Sequence, residues 1–236
     1  MRGLLAGVLG VAAVALTMGG CSAVGERTSG APSSSSASAL ERLERALVMP
    51  RATGKPDPVR YGVASGPFND VIDQFLTGQR KPDVCLWSRT ASGQFEAVTT
   101  GPVTTPAALG VWTDSARSVL VSETIVAVPD ATASKLIAQS IAPRCRDRSL
   151  RLDGRAARLR MESDNVRTTD GRTERLTDYL LTTHAGTQPQ QQVLIRVKGH
   201  VVFLALSPGG RLPGPDTYAA LVTEAGTRAM TVLGRP

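Results

Sequence analysis

"QQVLIRVKGHVVFLALS", residues 191 to 207, decides the fold. Val193, Ile195 and Val197 alternate with polar neighbours, the period of a half-buried strand. Lys198-Gly199 then offers a tight turn, and Val201 to Leu206 returns as a nearly continuous apolar run. Two such runs joined by two turn residues read as an antiparallel hairpin at the centre of a sheet.

Working outward from this hairpin, "RTERLTDYLLTTHAG" is rich in threonine and alternates in part. "RSLRLDGRAARLRMES" reads as a second hairpin with Asp153-Gly154 at its turn. "SVLVSETIVAVPD", 118 to 130, predicts one or two strands, "RYGVASG" a first strand, and "KPDVCLW", 81 to 87, a strand carrying Cys85 inward. The stretch 98 to 110 has prolines and threonines and no defined pattern.

Three helices interrupt the strands. Phe68, Val71, Ile72, Phe75 and Leu76 form one stripe over 65–78, with Pro67 early and Gly78 as the stop. Asp130 is placed to cap a helix on which Ala133, Leu136, Ile137 and Ile141 face inward and which ends at Pro143. After the loop "SPGGRLPGPD", Asp216 is placed to cap a last helix bearing Tyr218, Leu221, Val222, Ala225 and Ala229. Strands in runs, separated by isolated helices, indicate an α+β fold: an antiparallel β-sheet with helices packed mainly on one face. The expected organisation is a single α+β domain over 59–236.

The N-terminal part has a different character. Arg2 is the only charged side chain in the first twenty residues, and "LLAGVLGVAAVALTM" follows as a signal-length apolar run. Gly19 and Gly20 precede Cys21. The segment resembles a bacterial lipoprotein signal, with Met18 where leucine is usual. That resemblance implies a signal peptide over 1–20 and a thioether-linked diacylglycerol on Cys21, with further acylation (palmitate or a similar chain) of the new amine. Two or more chains hold a protein stably on a membrane, at about 0.8 kcal/mol per buried methylene. The implied address is the cell membrane, lipid-anchored, on the extracytoplasmic side, with membrane lipid as a partner through Cys21. A plain signal peptide or an uncleaved anchor is the alternative. Residues 21–50 are Ser/Ala/Gly-rich at first and read as a tether. Leu40, Leu43 and Leu47 then have helical spacing behind a Ser38/Glu41 capping box, a short helix that either packs on the domain or forms only near the membrane.

Beyond Cys21 the remaining cysteines are Cys85 and Cys145. In an exported chain two cysteines suggest one disulfide; two free thiols are the alternative. There is no Cys-x-x-Cys and no His-Glu-x-x-His, and His184 and His200 are the only histidines, so no metal site and no cofactor is expected. A Gly-x-Ser-x-Gly elbow is absent, and no catalytic residue stands out.

The formal charge is +7. Much of the bias lies in "RCRDRSLRLDGRAARLR", 144 to 160, where Arg151, Arg155, Arg158 and Arg160 are candidates for contacts to anionic headgroups. A solvated face of a strand pair is the plainer reading. Nucleic acid is not expected as a partner, because aromatics are only 4% of the chain and an exported domain seldom meets it. Phe68, Phe75, Trp87 and Trp112 are candidates to line a pocket, with core packing as the ordinary reading.

"VAVPDATASKLIAQSIAPRCRD" and "VLIRVKGHVVFLAL" followed by a terminal helix resemble the extracellular sensor domain of mycobacterial PknH-type kinases and related actinobacterial exported lipoproteins. The resemblance covers 118–236. It implies an antiparallel sheet with helices and a cleft for an unknown ligand. Members usually have two disulfides, whereas this chain can form one. The expected function is a non-catalytic ligand-binding or sensor-like domain, its partner an unknown small molecule, lipid or envelope protein. Alternatives are a protein-interaction or envelope-assembly module and a hydrolase acting on envelope components.

Overall fold

A computed structural model describes residues 34–48, 60–76, 83–100, 103–152, 154–169, 171–214 and 216–234. Cys21 and the segment 1–20 lie outside the described residues. The fold is α+β, built on one eight-stranded antiparallel sheet in the order β1-β2-β3-β8-β7-β6-β5-β4. The strands are β1 (Arg60–Pro67), β2 (Pro106–Asp114), β3 (Val119–Ala127), β4 (Asp147–Leu152), β5 (Arg155–Thr169), β6 (Arg172–Thr183), β7 (Gly186–Val197) and β8 (His200–Pro208). The helices are α1 (Ser34–Ala46), α2 (Phe68–Leu76), α3 (Val84–Trp87), α4 (Ala91–Glu96), α5 (Asp130–Ala138) and α6 (Thr217–Leu233).

The hairpin 191–207 is the β7–β8 pair, with Val193 opposite Leu204 and Ile195 opposite Val202. Gly199 turns it at φ 67°, and Gly154 turns β4 into β5 at φ 78°. Both conformations are left-handed, which glycine adopts without steric cost. β8 lies centrally, between β3 and β7.

The two longest helices, α1 and α6, share one face. Leu43, Ala46 and Leu47 of α1 and Leu221, Val222, Ala225 and Ala229 of α6 pack there on Trp112, Val121, Ile125, Ile195, Val202 and Leu204. Leu40 lies against the same cluster. The 38–48 segment therefore forms a helix docked on the sheet. The opposite face is covered by shorter pieces: Phe68 of α2, Phe95 of α4 and Leu136 and Ile137 of α5 pack on Val126, Leu194, Val201 and Phe203. Among the described residues no helix is long and apolar enough to cross a membrane.

Several elements depart from their sequence reading for identifiable reasons. Residues 84–87 form a helical turn rather than a strand, because the Asp83 side chain accepts the Cys85 N–H at 2.8 Å and starts a helix. β2 lies in and beyond the stretch that had no clear pattern. Its residues 107–112 are buried on both faces, so no alternation marks it. α5 ends at Ala138, and Pro143 instead opens a 3-10 turn, Pro143–Cys145. Asp130 does not cap α5. It is the helix's first residue, and its carboxylate accepts from Gly199 N at 3.4 Å and faces Arg196 at 3.7 Å, fastening the helix to the β7–β8 turn. Asp216 makes no side-chain cap bond to α6 either.

Candidate functional site

Cys85 and Cys145 form the disulfide, with Cα atoms 5.2 Å apart. It ties α3 to the 3-10 turn that leads into edge strand β4. α3 and α4 are two short helices folded into a corner. A Cβ on Gly93 would sit 2.0 Å from the Trp87 carbonyl oxygen, so only glycine permits this approach. Thr90 caps α4 by accepting from Gly93 N at 3.1 Å and donates to the Trp87 carbonyl at 2.8 Å. Gln94 Nε2 donates to the Ser88 carbonyl at 2.5 Å, and Trp87 Nε1 donates to Glu96 Oε2 at 2.6 Å.

Arg89 sits at this corner and reaches onto the sheet. Its guanidinium carbon lies 3.7 Å from the centroid of the Tyr179 ring. Its Nη2 donates to Gln190 Oε1 at 3.1 Å, and its carbonyl accepts from Gln192 Nε2 at 2.5 Å. Stacking of this kind contributes about 0.5–2 kcal/mol, more where water is excluded. Register places Gln190 and Gln192 on the same side as Tyr179: Gln190 lies opposite Tyr179, and Gln192 opposite Thr177.

Between this corner and strands β7 and β8 lies a cavity of about 30 Å³, lined in part by Leu86, Arg89, Thr90, Gln190, Gln192 and Ser207. Its polar atoms are not all satisfied. Arg89 Nε, Gln192 Oε1 and Ser207 Oγ are sealed from solvent without a protein hydrogen-bond partner. Buried polar groups are ordinarily paired, and each orphan costs about 1–3 kcal/mol. Three on one cavity call for partners from outside the protein, water or a ligand. Burial pulls the Arg89 guanidinium below its ordinary pKa, with Tyr179 opposing the shift. Burial likewise pushes the Tyr179 phenol up, against the pull of Arg89.

None of the pocket or headgroup candidates suggested by sequence lines this cavity. Phe68 and Trp112 are core residues, 2% and 1% exposed, in clusters on opposite faces of the sheet, and neither borders the cavity. Phe68 stacks at 4.8 Å on Phe95. Trp87 braces the corner from outside, through Glu96. The Phe75 side chain lies outside the described residues. The arginines do not make one patch. Register puts Arg151, Arg158 and Arg160 on one face of the β4–β5 hairpin and Arg155 on the other. Arg158 is bidentate to Asp147 at 2.7 and 2.5 Å, and Arg160 pairs with Glu162 at 2.6 Å. Arg151 Nη1 donates to the Gly154 carbonyl at 3.0 Å, and Arg155 lies 2.8 Å from His184 Nε2. Among the described residues no group of three or more His, Cys, Asp or Glu is arranged to hold a metal.

Arg89, Tyr179, Gln190, Gln192 and Ser207 had one signal in the sequence. "QPQQQV", 188 to 193, places amides at positions 190 and 192, in phase with buried Leu194. The corner residue Arg89 carried none.

The sequence matches no known protein family, and no curated protein matches it. The fold does have solved counterparts. The extracellular domain of PknH from Mycobacterium tuberculosis is similar at a TM-score of 0.53 and 10% identity, over 83% of this chain and 97% of that one. An uncharacterised protein of Mycobacterium smegmatis matches at a TM-score of 0.40 and 12% identity, over 77% of this chain and 93% of that one. At 10% identity the likeness to the PknH domain is one of fold.

Proposed function

We propose that the chain is a membrane-anchored, extracytoplasmic domain that binds a small ligand without transforming it. The observation that carries this reading is the cavity beneath the α3–α4 corner, lined by buried Gln192 and Ser207 and half-buried Arg89, each with a polar atom sealed from solvent and unpaired. Binding pockets combine an apolar body with a few convergent polar groups. Here Leu86 and the sheet supply the body, and the amides, hydroxyl and guanidinium supply the polar groups. The likeness in fold to an extracellular domain supports the extracytoplasmic placement, as does a disulfide in the core. The "LTMGGC" segment supports an anchor through a diacylglycerol on Cys21.

Native mass spectrometry of the full chain, extracted in detergent, tests the reading. The expected spectrum carries a small-molecule adduct that is absent from the Ser207→Val variant, whose added methyls fill the cavity. A folded protein that carries no adduct and acquires none from envelope extract sinks it. Intact mass tests the anchor separately: the chain should begin at Cys21 and be heavier than its sequence by the acyl groups.

A further inference from the structure

The cavity's charge balance identifies the class of group that completes it. Arg89 is a cation whose Nε is sealed from water, and none of the described carboxylates pairs with it. The acidic groups around this region are engaged elsewhere. Asp83 faces Arg148 at 3.3 Å, Asp164 is bidentate to Arg175, Asp178 accepts from Gln191 at 2.7 Å, and Glu96 accepts from Trp87. Tyr179 gives Arg89 a π face, and Gln190 gives it a neutral acceptor. Neither brings a formal charge. Arg89 is half-buried, and a partly desolvated charge without a counter-charge is stabilised when an anion comes beside it. An anion in the cavity supplies that counter-charge and can accept from the sealed Arg89 Nε–H.

The second polar requirement is opposite in kind. Gln192 is 3% exposed, and its Nε2 is committed to the Arg89 carbonyl at 2.5 Å. That bond fixes the amide orientation, so the unpaired Oε1 is an acceptor and needs a donor. Ser207, 8% exposed with an unpaired hydroxyl, can serve either way. A cavity of about 30 Å³ takes one compact polar group. Resting on the ligand-binding reading above, we infer that this site takes a compact oxyanion carrying its own hydrogen-bond donor. The oxyanion sits on Arg89 and Ser207, and the donor faces Gln192. A 2-hydroxy carboxylate meets this description, and so does a hydrogen phosphate.

The test is the thermal midpoint of the full chain in detergent, at constant ionic strength, with lactate, hydrogen phosphate, acetate and neutral lactamide as probes. Lactate or phosphate should raise the midpoint by roughly 5 °C at a hundredfold excess over its Kd. Whichever raises it more identifies the source of the oxyanion. Lactamide should leave it unchanged. Arg89→Met should abolish the response, and Arg89→Lys should weaken binding about tenfold or more, because a point charge does not reproduce a directed Nε–H. Should Arg89→Met not fold, Gln192→Leu decides. Lactate should bind the unaltered protein at least about fivefold more tightly than acetate, and the variant should erase that preference. The inference is overturned if lactamide stabilises as well as lactate, if the response survives Arg89→Met, or if neither anion acts. A neutral adduct that is lost in Ser207→Val would overturn the anion and leave the ligand-binding reading standing.

Discussion

Strands β3 and β8 are buried along both faces, whereas β5 alternates buried and exposed residues and ends in a fully exposed run. The first two lie between helices: α1 and α6 on one side, α2, α4 and α5 on the other. The β4–β6 side has a smaller cluster of its own, Leu150, Ala157, Leu159, Tyr179 and Leu181, and an opposite face that carries Arg151, Arg158, Arg160, Leu180 and Thr182. The difference separates what holds the fold from what can be spent on function. The doubly covered part is close-packed hydrocarbon. The candidate site lies where the helical cover thins to the α3–α4 corner and polar side chains from β6 and β7 meet it.

Breaking the link between the two regions should have the largest effect. The disulfide closes a loop with a sequence separation of 60 and pins the corner to the β4 side. Replacing both Cys85 and Cys145 by Ala should destabilise the fold by about 4 kcal/mol in the chain-entropy picture. It should also weaken binding to the cavity more than a remote core truncation does. Denaturant unfolding and ligand titration of the double variant check both. Within the doubly covered region, Leu204→Ala removes a 1%-exposed side chain at the centre of the sheet and should cost about 3 kcal/mol by the same measurement.

The next effect concerns pH and the α1 side. Glu123 is fully buried beneath α1, opposite Gly110 in the register, and accepts Val48 N–H at 2.6 Å, with its other oxygen unpaired. Burial raises its pKa to about 8, with the Val48 bond and Arg228 opposing the shift and Glu224 adding to it. A carboxyl raised in the folded state contributes stability that is fully present below its unfolded pKa and lost as pH rises through the folded one. Stability should therefore fall between about pH 5 and pH 9, by up to about 5 kcal/mol unless α1 undocks first. Glu123→Gln should flatten the profile. Hydrogen exchange at the amides of α1 should report the undocking directly, rising above pH 8 in the parent chain and not in the variant.

A smaller effect is expected at Gly226 on α6. A Cβ there would lie 2.9 Å from the Arg172 guanidinium, which is 5% exposed and paired with buried Glu174. Gly226→Ala gains about 1 kcal/mol of helix propensity but pushes Arg172 off Glu174, and should lose about 1 kcal/mol net in a denaturant titration. The smallest effect belongs to the exposed arginines. Arg158→Ala should leave the thermal midpoint unchanged, because its pair with Asp147 lies in water. A clear loss of stability there would show that the two regions are not divided as described.

How much was legible depended on whether a signal was periodic. The β7–β8 hairpin was plain, because Val193, Ile195 and Val197 alternate and a glycine turn follows. α6 was plain from Leu221, Val222, Ala225 and Ala229. β2 was not, because "AALGVW" is buried on both sides and has no period to read. The turn at 84–87 was misread because Val, Cys, Leu and Trp suit a strand, while one Asp83 bond makes them a helix. The aromatic candidates misled for a related reason: large apolar side chains are drawn to the core first, and Phe68 and Trp112 went there.

The order of apolar periods and turn residues by itself determined an antiparallel α+β fold with Cys85 and Cys145 available to each other, because burying hydrocarbon needs only the right face at the right spacing. Only the tertiary structure decided that Arg89 lies over Tyr179 and beside Gln190, Gln192 and Ser207. Those residues come from a helical corner and three strands about a hundred positions apart. A site of unpaired polar atoms has no period, and exists only once the chain has brought its parts into one low-dielectric space.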